Sequence, residues 1–499
     1  MDADPSAFSI ANSVPLICSK KLASEFGFSI NRRAPQKSID DSGKPLICER
    51  VKSALRGSWP AFTLRSSDLC RLAGFWGLVR LKVENLSTRC CIVGAGPCGL
   101  MLGLLLARAG VDVIVLEKHA DFLRDFRGDS IHPSTLEVMS ELGLLDELLK
   151  LPHQKELTQS AYFSGREYPF ADFTRLPTRC KFIALMPQWD FLNFLAERGK
   201  SYPSFRLLMR TEAVEVREKN GRVAGVCAKT AEGPVEVRAD LTVACDGRHS
   251  IIRARAGLFA RDLGAPMDIL WFRLRKTSID PGKSFARFDA GRILVAIARE
   301  DYWQCAFHIA KGSSDEIRRN GLPAFRQSLA RLVPEFADRF DELEDWEQIK
   351  LLSVILDRLD CWHRPGLLCI GDAAHAMSPL GGVGVNLAIQ DAVAAANILW
   401  EPLQSRMVQS DHLRRLQKRR MFPTRATQRL QAFLHNRLIH PVLSASASPK
   451  VPPLLQLMSR FPALRRVEAR LIALGFRPEH VRTPASAAET ISMLRSGCS

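Results

Sequence analysis

The chain lacks any CxxC pair and any Cys/His cluster at zinc-ligand spacing, although it carries 13 cysteines. A zinc-stapled or disulfide-framed small domain is therefore excluded. Apart from Cys90-Cys91 the cysteines stand singly, and Cys90, Cys245 and Cys369 lie in apolar runs, where cysteine acts as a small hydrophobe. The expectation is a reduced, cytoplasmic protein with no structural metal. No apolar run approaches the about 20 residues that cross a bilayer. Residues 90–107 are uncharged, but the run is short and broken by glycines and Pro97. There is no secretory apolar run near Met1, and Asp2 and Asp4 argue against a transit peptide, which is poor in acids. No repeat and no nucleic-acid reader motif is found.

Charge of one sign is also missing where it would matter most. The net charge is +17, yet residues 1–87 hold 13 Lys/Arg against 8 Asp/Glu and residues 400–499 hold 17 against 5. The stretch between them is neutral, so the folded centre is not built to bind a polyanion. Residues 1–86 show no sustained period and are expected to form a poorly ordered extension outside every motif.

Residues 90–118 organise the rest. An apolar strand over 90–93 runs into Gly94-Ala95-Gly96-Pro97-Cys98-Gly99, an apolar helix to 109, a strand over 111–116, and Glu117-Lys118. This is a dinucleotide fingerprint in the context that gives it weight. Gly94 makes the tight turn, Gly96 lets backbone approach a pyrophosphate, and Gly99 lets helix pack on strand. The pyrophosphate then meets free N–H groups at a helix N-terminus. Glu117 is placed to accept ribose hydroxyls, with Lys118 beside it.

Two further motifs follow: Ala244-Cys245-Asp246-Gly247-Arg248 ending a buried strand, and Gly371-Asp372-Ala373-Ala374-His375 leading through Pro379, Gly381, Gly382 and Gly384 to Asn386 on a long apolar helix over 385–400. In this order the three motifs resemble the FAD-dependent aromatic hydroxylases of the 4-hydroxybenzoate hydroxylase type, the group A flavin monooxygenases. The resemblance runs from about Arg89 to Trp400. It implies an α/β fold: a Rossmann-like FAD-binding domain, an interleaved antiparallel-sheet substrate domain, and a C-terminal helical segment. The boundaries expected are 88–156 with 186–262 and 355–400 for the FAD domain, 157–185 with 263–354 for the substrate domain, and 401–485 for the basic helical segment.

The resemblance also implies the site. Asp372 would bind ribityl hydroxyls, with Gly371 before it. The loop of Pro379, Gly381, Gly382, Gly384 and Asn386 would lie against the isoalloxazine. Asp246 and Gly247 would touch the pyrophosphate region, and Arg253 would hold that loop. Arg127 would contact the pyrophosphate through its guanidinium, and Gln188 would contact the flavin from a helix start. His375 reads as a packing residue. Trp271, Arg273, Tyr302, Trp303 and His308 are candidates for the substrate wall, and no residue is assigned as catalytic.

FAD would be held non-covalently. With one glycine fingerprint only, NAD(P)H would visit transiently to reduce it. O2 would then form a C4a-hydroperoxide that hydroxylates or epoxidises an electron-rich organic substrate. The alternatives are a dehydrogenase or reductase on the same fold, and a non-enzymatic flavoprotein at a membrane surface. A flavin halogenase is disfavoured because its WxWxIP motif is absent. In the basic tail, Leu457, Phe461, Leu464, Val467, Leu471 and Leu474 recur at spacings of three and four. Their face either packs back on the FAD domain or meets an anionic membrane at the inner face.

Overall fold

A computed structural model describes residues 83–123, 130–280 and 282–485. Arg127 and residues 1–82 of the expected 1–86 extension lie outside the described residues, and residues 84–86 at its end are strand rather than extension. Within them, residues 84–230 and 235–485 group into one compact unit.

The organising element is an eight-stranded sheet whose centre is parallel. Glu84–Val93 pairs in parallel with Val113–Leu116 on one side and Pro234–Ala244 on the other. Phe205–Leu208 and Leu367–Cys369 extend the parallel set outward. Strands buried on both faces need continuous apolar runs rather than alternation. Cys90, Cys91, Ile92 and Val113 to Leu116 supply them, all close to fully buried. The first strand begins at Glu84 rather than 90, because residues 84–88 find partners along residues 235–239. For the same reason its partner Pro234–Ala244 is one long continuous strand.

The fingerprint helix Pro97–Arg108 starts on Pro97, whose missing N–H costs nothing at that position. It is apolar all round and packs under Val383–Gln404, which is buried along most of its length. Among the described residues only the helical stretch Leu380–Gln404 is long and apolar enough to cross a membrane, and 61% of its most apolar window is buried inside the protein. The stretch after the fingerprint forms two helices, Pro133–Glu141 and Leu145–Leu148, because Gly143 between them adopts a φ of +71°.

A second, seven-stranded sheet runs Lys350–Leu352, Met267–Arg275, Tyr302–Ala310, Arg292–Ala298, Phe285–Asp289, Thr158–Phe163 and Arg166–Asp172. It is antiparallel except where Phe285–Asp289 lies parallel to Thr158–Phe163. Here the side chains alternate. Leu270, Phe272 and Leu274 enter a core with Trp303, Phe325 and Phe336, while Ile269 and Trp271 face the other way. A three-stranded sheet of Ser130–Ile131, Ile183–Leu185 and Gln154–Glu156 completes the described sheet structure around the site.

The tail's apolar spacing is interrupted at Pro462, a residue that cannot continue a helix from its preceding turn. Pro462 ends one helix and starts another, Pro453–Arg460 and Pro462–Leu474, so the apolar positions share no common face. Ala469 and Ala473 are fully buried, whereas Leu457, Phe461 and Val467 are exposed. Both helices pack on Arg166–Asp172 of the second sheet.

Candidate active site

One cavity of about 1470 Å³ runs between the two sheets. At its first end stands the fingerprint turn. Gly94 has a φ of +98°, and a Cβ there would lie 2.6 Å from the Cys245 carbonyl oxygen. Gly99 is not in the cavity wall: its missing Cβ would sit 2.0 Å from the Gly94 oxygen, so it sets the contact of helix on turn. Gly96 faces open space, with nothing within 4 Å of a Cβ. No side chain caps the fingerprint helix and no acid stands in its first turn, which leaves this terminus suited to an anion. The Glu117 carboxylate, 8% exposed, accepts from the N–H groups of Ala95 and His119 and lines the cavity with Lys118.

Gln188 opens the helix Gln188–Lys200 and lines the same cavity. The other two motifs meet beside the fingerprint. Asp246 is half-buried, accepts from the Ile252 N–H at 3.2 Å, and loss of hydration pushes its carboxyl above the usual range. Gly247 follows at a φ of +86°. Arg253 donates to the carbonyl oxygens of Arg248 (2.9 Å) and Ala373 (3.2 Å), tying the two motif turns together. Arg248 approaches the Asp372 carboxylate at 3.9 Å. Asp372 lies in the short 3-10 turn Gly371–Ala373 that follows the strand Leu367–Cys369, and the long helix begins at Val383. Gly371 is not in the wall; at φ +58° it packs against Ala388 and Cys98.

Pro379, Gly381, Gly382, Gly384 and Asn386 all border the cavity, and Gly381 and Gly382 adopt φ of +78° and +64°. The Asn386 amide is engaged within the protein. Its oxygen accepts from the His132 N–H and the Thr135 hydroxyl, and its nitrogen donates to the carbonyls of Ser130 and Gly382. It therefore shapes the loop from behind. His375 is likewise structural: its Nε2 meets the Asp391 carboxylate at 2.6 Å, and that carboxylate also pairs with Arg420 at 2.7 Å and accepts from the Gly371 N–H. Burial opposes the Asp391 charge, but His375 and Arg420 hold its carboxyl below the usual range.

The second end of the cavity is largely apolar. Of the five residues expected there, Trp271 and His308 line it. Trp303 points into the opposite core and donates to Asp280 at 2.8 Å, and Arg273 stacks over the Tyr302 ring at 4.9 Å, outside the wall. Sequence reading missed the tail's share: Leu455, Met458, Leu471 and Ile472 close this end. It also missed His132, whose Nδ1 donates to the Ile472 carbonyl at 2.7 Å and so joins the tail to the loop. No local motif signals such contacts, because they form across some 340 residues.

The chain's residues 87–430 match the family model described as FAD binding domain. The 6-methylpretetramide 4-monooxygenase of Streptomyces rimosus is 32% identical over 410 residues, covering 82% of this chain and 97% of that protein. Among solved structures, the OxyS anhydrotetracycline hydroxylase from Streptomyces rimosus superposes with a TM-score of 0.62 at 23% identity, over 81% of this chain and 78% of that one. PqsL, a probable FAD-dependent monooxygenase from Pseudomonas aeruginosa, gives a TM-score of 0.62 at 21% identity, over 72% and 98%. The protein is thus an oxidoreductase with FAD as cofactor, NAD(P)H as reductant, and O2 and a small organic molecule as substrates. The dehydrogenase and non-enzymatic alternatives are not favoured. The chain belongs to the group A flavin monooxygenases, the FAD-dependent family of the aromatic hydroxylases.

Proposed function

We propose that the protein hydroxylates a polycyclic aromatic phenol, with FAD at the fingerprint end of the cavity and substrate at the apolar end. The continuity of the cavity carries this reading. About 300–1000 Å³ suffices for one drug-sized ligand, and 1470 Å³ leaves room for a multi-ring substrate beside the cofactor. The relative named for 6-methylpretetramide supports the same class.

In this reading the residues fit FAD by chemistry already described. The open Gly96 and the uncapped helix end receive the pyrophosphate. Glu117 and Asp372 offer carboxylates to hydroxyl groups, and Asp246-Gly247 flanks the pyrophosphate region. The left-handed glycines 381 and 382, stiffened by Pro379 and propped by Asn386, let backbone approach a flat ring. Gln188 borders the same space. Bound FAD, reduced by NAD(P)H, supplies the activation of O2 and the transfer of one oxygen atom to the substrate. The chain's own part is to exclude water and hold the aromatic ring, which Trp271, Ile269 and the tail's Met458 and Leu471 do with apolar surface.

The test supplies purified holoenzyme with NAD(P)H, labelled O2 and a panel of three- and four-ring phenols. One labelled oxygen per product is expected. Oxidation of NAD(P)H without labelled product across the panel would overturn the reading.

A second reading concerns where the reaction takes place. Leu454, Leu457, Phe461 and Val467 are exposed on the tail helices, with Arg460, Arg466 and Arg470 exposed around them. This pattern supports peripheral contact with an anionic membrane from the cytoplasmic side, beside the cavity's apolar end. Each basic residue contributes about 1 kcal/mol at such a surface. Co-sedimentation with anionic vesicles that high salt abolishes is expected, and a protein that stays in the supernatant at low salt excludes it.

A further inference from the structure

Within the apolar wall of the substrate end, polar side chains converge at one place from four separate segments. Glu156 ends the strand Gln154–Glu156, Gln159 lies on Thr158–Phe163, Ser284 just precedes Phe285–Asp289, and Gln304 lies on Tyr302–Ala310. All four line the cavity. The Ser284 and Gln159 side chains hydrogen-bond the Glu156 carboxyl. Ser284 Oγ already accepts from the Ala298 N–H at 3.2 Å, which directs its own proton elsewhere.

Gln304 is oriented from behind. Its Oε1 accepts from Arg299 Nε at 3.2 Å and Nη2 at 3.0 Å, and both residues are buried. A guanidinium only donates, so the amide oxygen must face Arg299 and the amide N–H groups are left for the cavity. The same Arg299 charge acts on Glu156. The cluster thus pairs a strong acceptor, Glu156, with a donor, Gln304, inside a wall that also contains Ile183 and Ile297.

Burial pushes the Glu156 carboxyl above the ordinary carboxylate range, against the hydrogen bonds from Ser284 and Gln159 and the Arg299 charge. A carboxyl withdrawn from water in this way gains from a further donor brought by a ligand, which an apolar ligand edge cannot supply.

We propose that Glu156 and Gln304 form a specificity edge that reads a hydroxyl standing beside a ring carbonyl or carboxamide on the substrate. Glu156 accepts from the hydroxyl and Gln304 donates to the carbonyl. The inference rests on the assignment of this end of the cavity to substrate. No proton transfer is needed: the pair orients the far edge of the substrate and so presents the opposite edge to the cofactor.

The test is equilibrium dialysis of the FAD-loaded protein under nitrogen, which prevents turnover. The probes are 1,8-dihydroxyanthrone, with hydroxyls flanking a carbonyl, and anthrone, which keeps the carbonyl and lacks the hydroxyls. Wild type should bind the dihydroxy compound roughly tenfold more tightly, the value of one hydrogen bond to a charged group. Glu156→Leu should bring the ratio near one while flavin content stays unchanged. Glu156→Gln keeps an acceptor of the same shape and should retain part of the preference, which covers the case in which the leucine variant fails to fold. A ratio near one in wild type, or an undiminished ratio in both variants, would overturn the inference. Labelled-oxygen incorporation is read separately, so failure of the monooxygenase reading cannot be mistaken for failure of this one.

Discussion

At the fingerprint end of the cavity the wall is largely backbone, drawn from three short motifs whose glycines stand where a Cβ would collide or intrude. At the substrate end the wall is side chains, contributed by strands of the second sheet and by the tail helices Pro453–Arg460 and Pro462–Leu474. The first end tolerates few residue types and so carries a fixed pattern. The second needs only apolar surface of suitable shape, which many sequences provide.

The sharpest way to break this contrast is Gly99→Val. The side chain would begin 2.0 Å from the Gly94 oxygen, a backbone atom that cannot move without displacing the turn. Destabilisation above about 4 kcal/mol is expected, seen as loss of soluble, flavin-containing protein. A stable yellow variant would show that the fingerprint end is not set by backbone contact.

The second sheet should break differently. Arg339 and Asp280 pair at 2.5 Å with both side chains almost fully buried, and Asp280 also accepts from Trp303 and the Thr277 N–H. Asp280→Ala strands a buried guanidinium, at a cost of about 3–5 kcal/mol in urea unfolding. Flavin content per folded molecule should remain at wild-type level. Flavin loss equal to that of the fingerprint variant would merge the two regions into one.

The contrast also explains what could be read from sequence. The parallel sheet, the fingerprint helix and the glycine loops follow from local runs of apolar residues and glycines, whose meaning is fixed by backbone geometry. Strand ends shifted where a distant partner extended them, as for residues 84–88 against 235–239. The Asn386 amide was legible as part of a motif, but its four partners lie on residues 130, 132, 135 and 382, so its propping role was not. Glu156 carried no signal, because Ser284 and Gln304 lie more than 100 residues further along the chain, on a different sheet from its own. The tail's apolar spacing was visible; the break at Pro462 turned part of that face outward.

A milder perturbation acts on two buried histidines of the cavity wall in one experiment. Burial lowers His132, where the glycine loop meets the tail, from 6.5 to about 4, although its bond to Ile472 opposes this. Burial and the nearby His435 lower His308, at the substrate end, to about 4. Both are kept neutral in the folded state, so their contribution is complete above pH 6.5 and is lost as pH falls toward 4. The loss should reach roughly 3 kcal/mol per histidine at most, since each pH unit is worth about 1.36 kcal/mol. Thermal melts from pH 7 to 4 should show the decline, and His308→Gln should make it shallower. An unchanged slope would mean that His308 does not titrate with unfolding.

The division of the cavity into a cofactor end and a substrate end is tested most directly by FAD dissociation constants of two variants. Gly96 has a φ of −74° and open space at its Cβ, so Gly96→Val can fold while filling the space assigned to the pyrophosphate. It should weaken FAD by about 10–100-fold, as overpacking of a fitted site does. Trp271→Ala, on the sheet wall, should bind FAD as wild type does and lose affinity for the aromatic substrate. Wild-type FAD affinity in the Gly96 variant, or an equal loss of FAD in the Trp271 variant, would contradict the account.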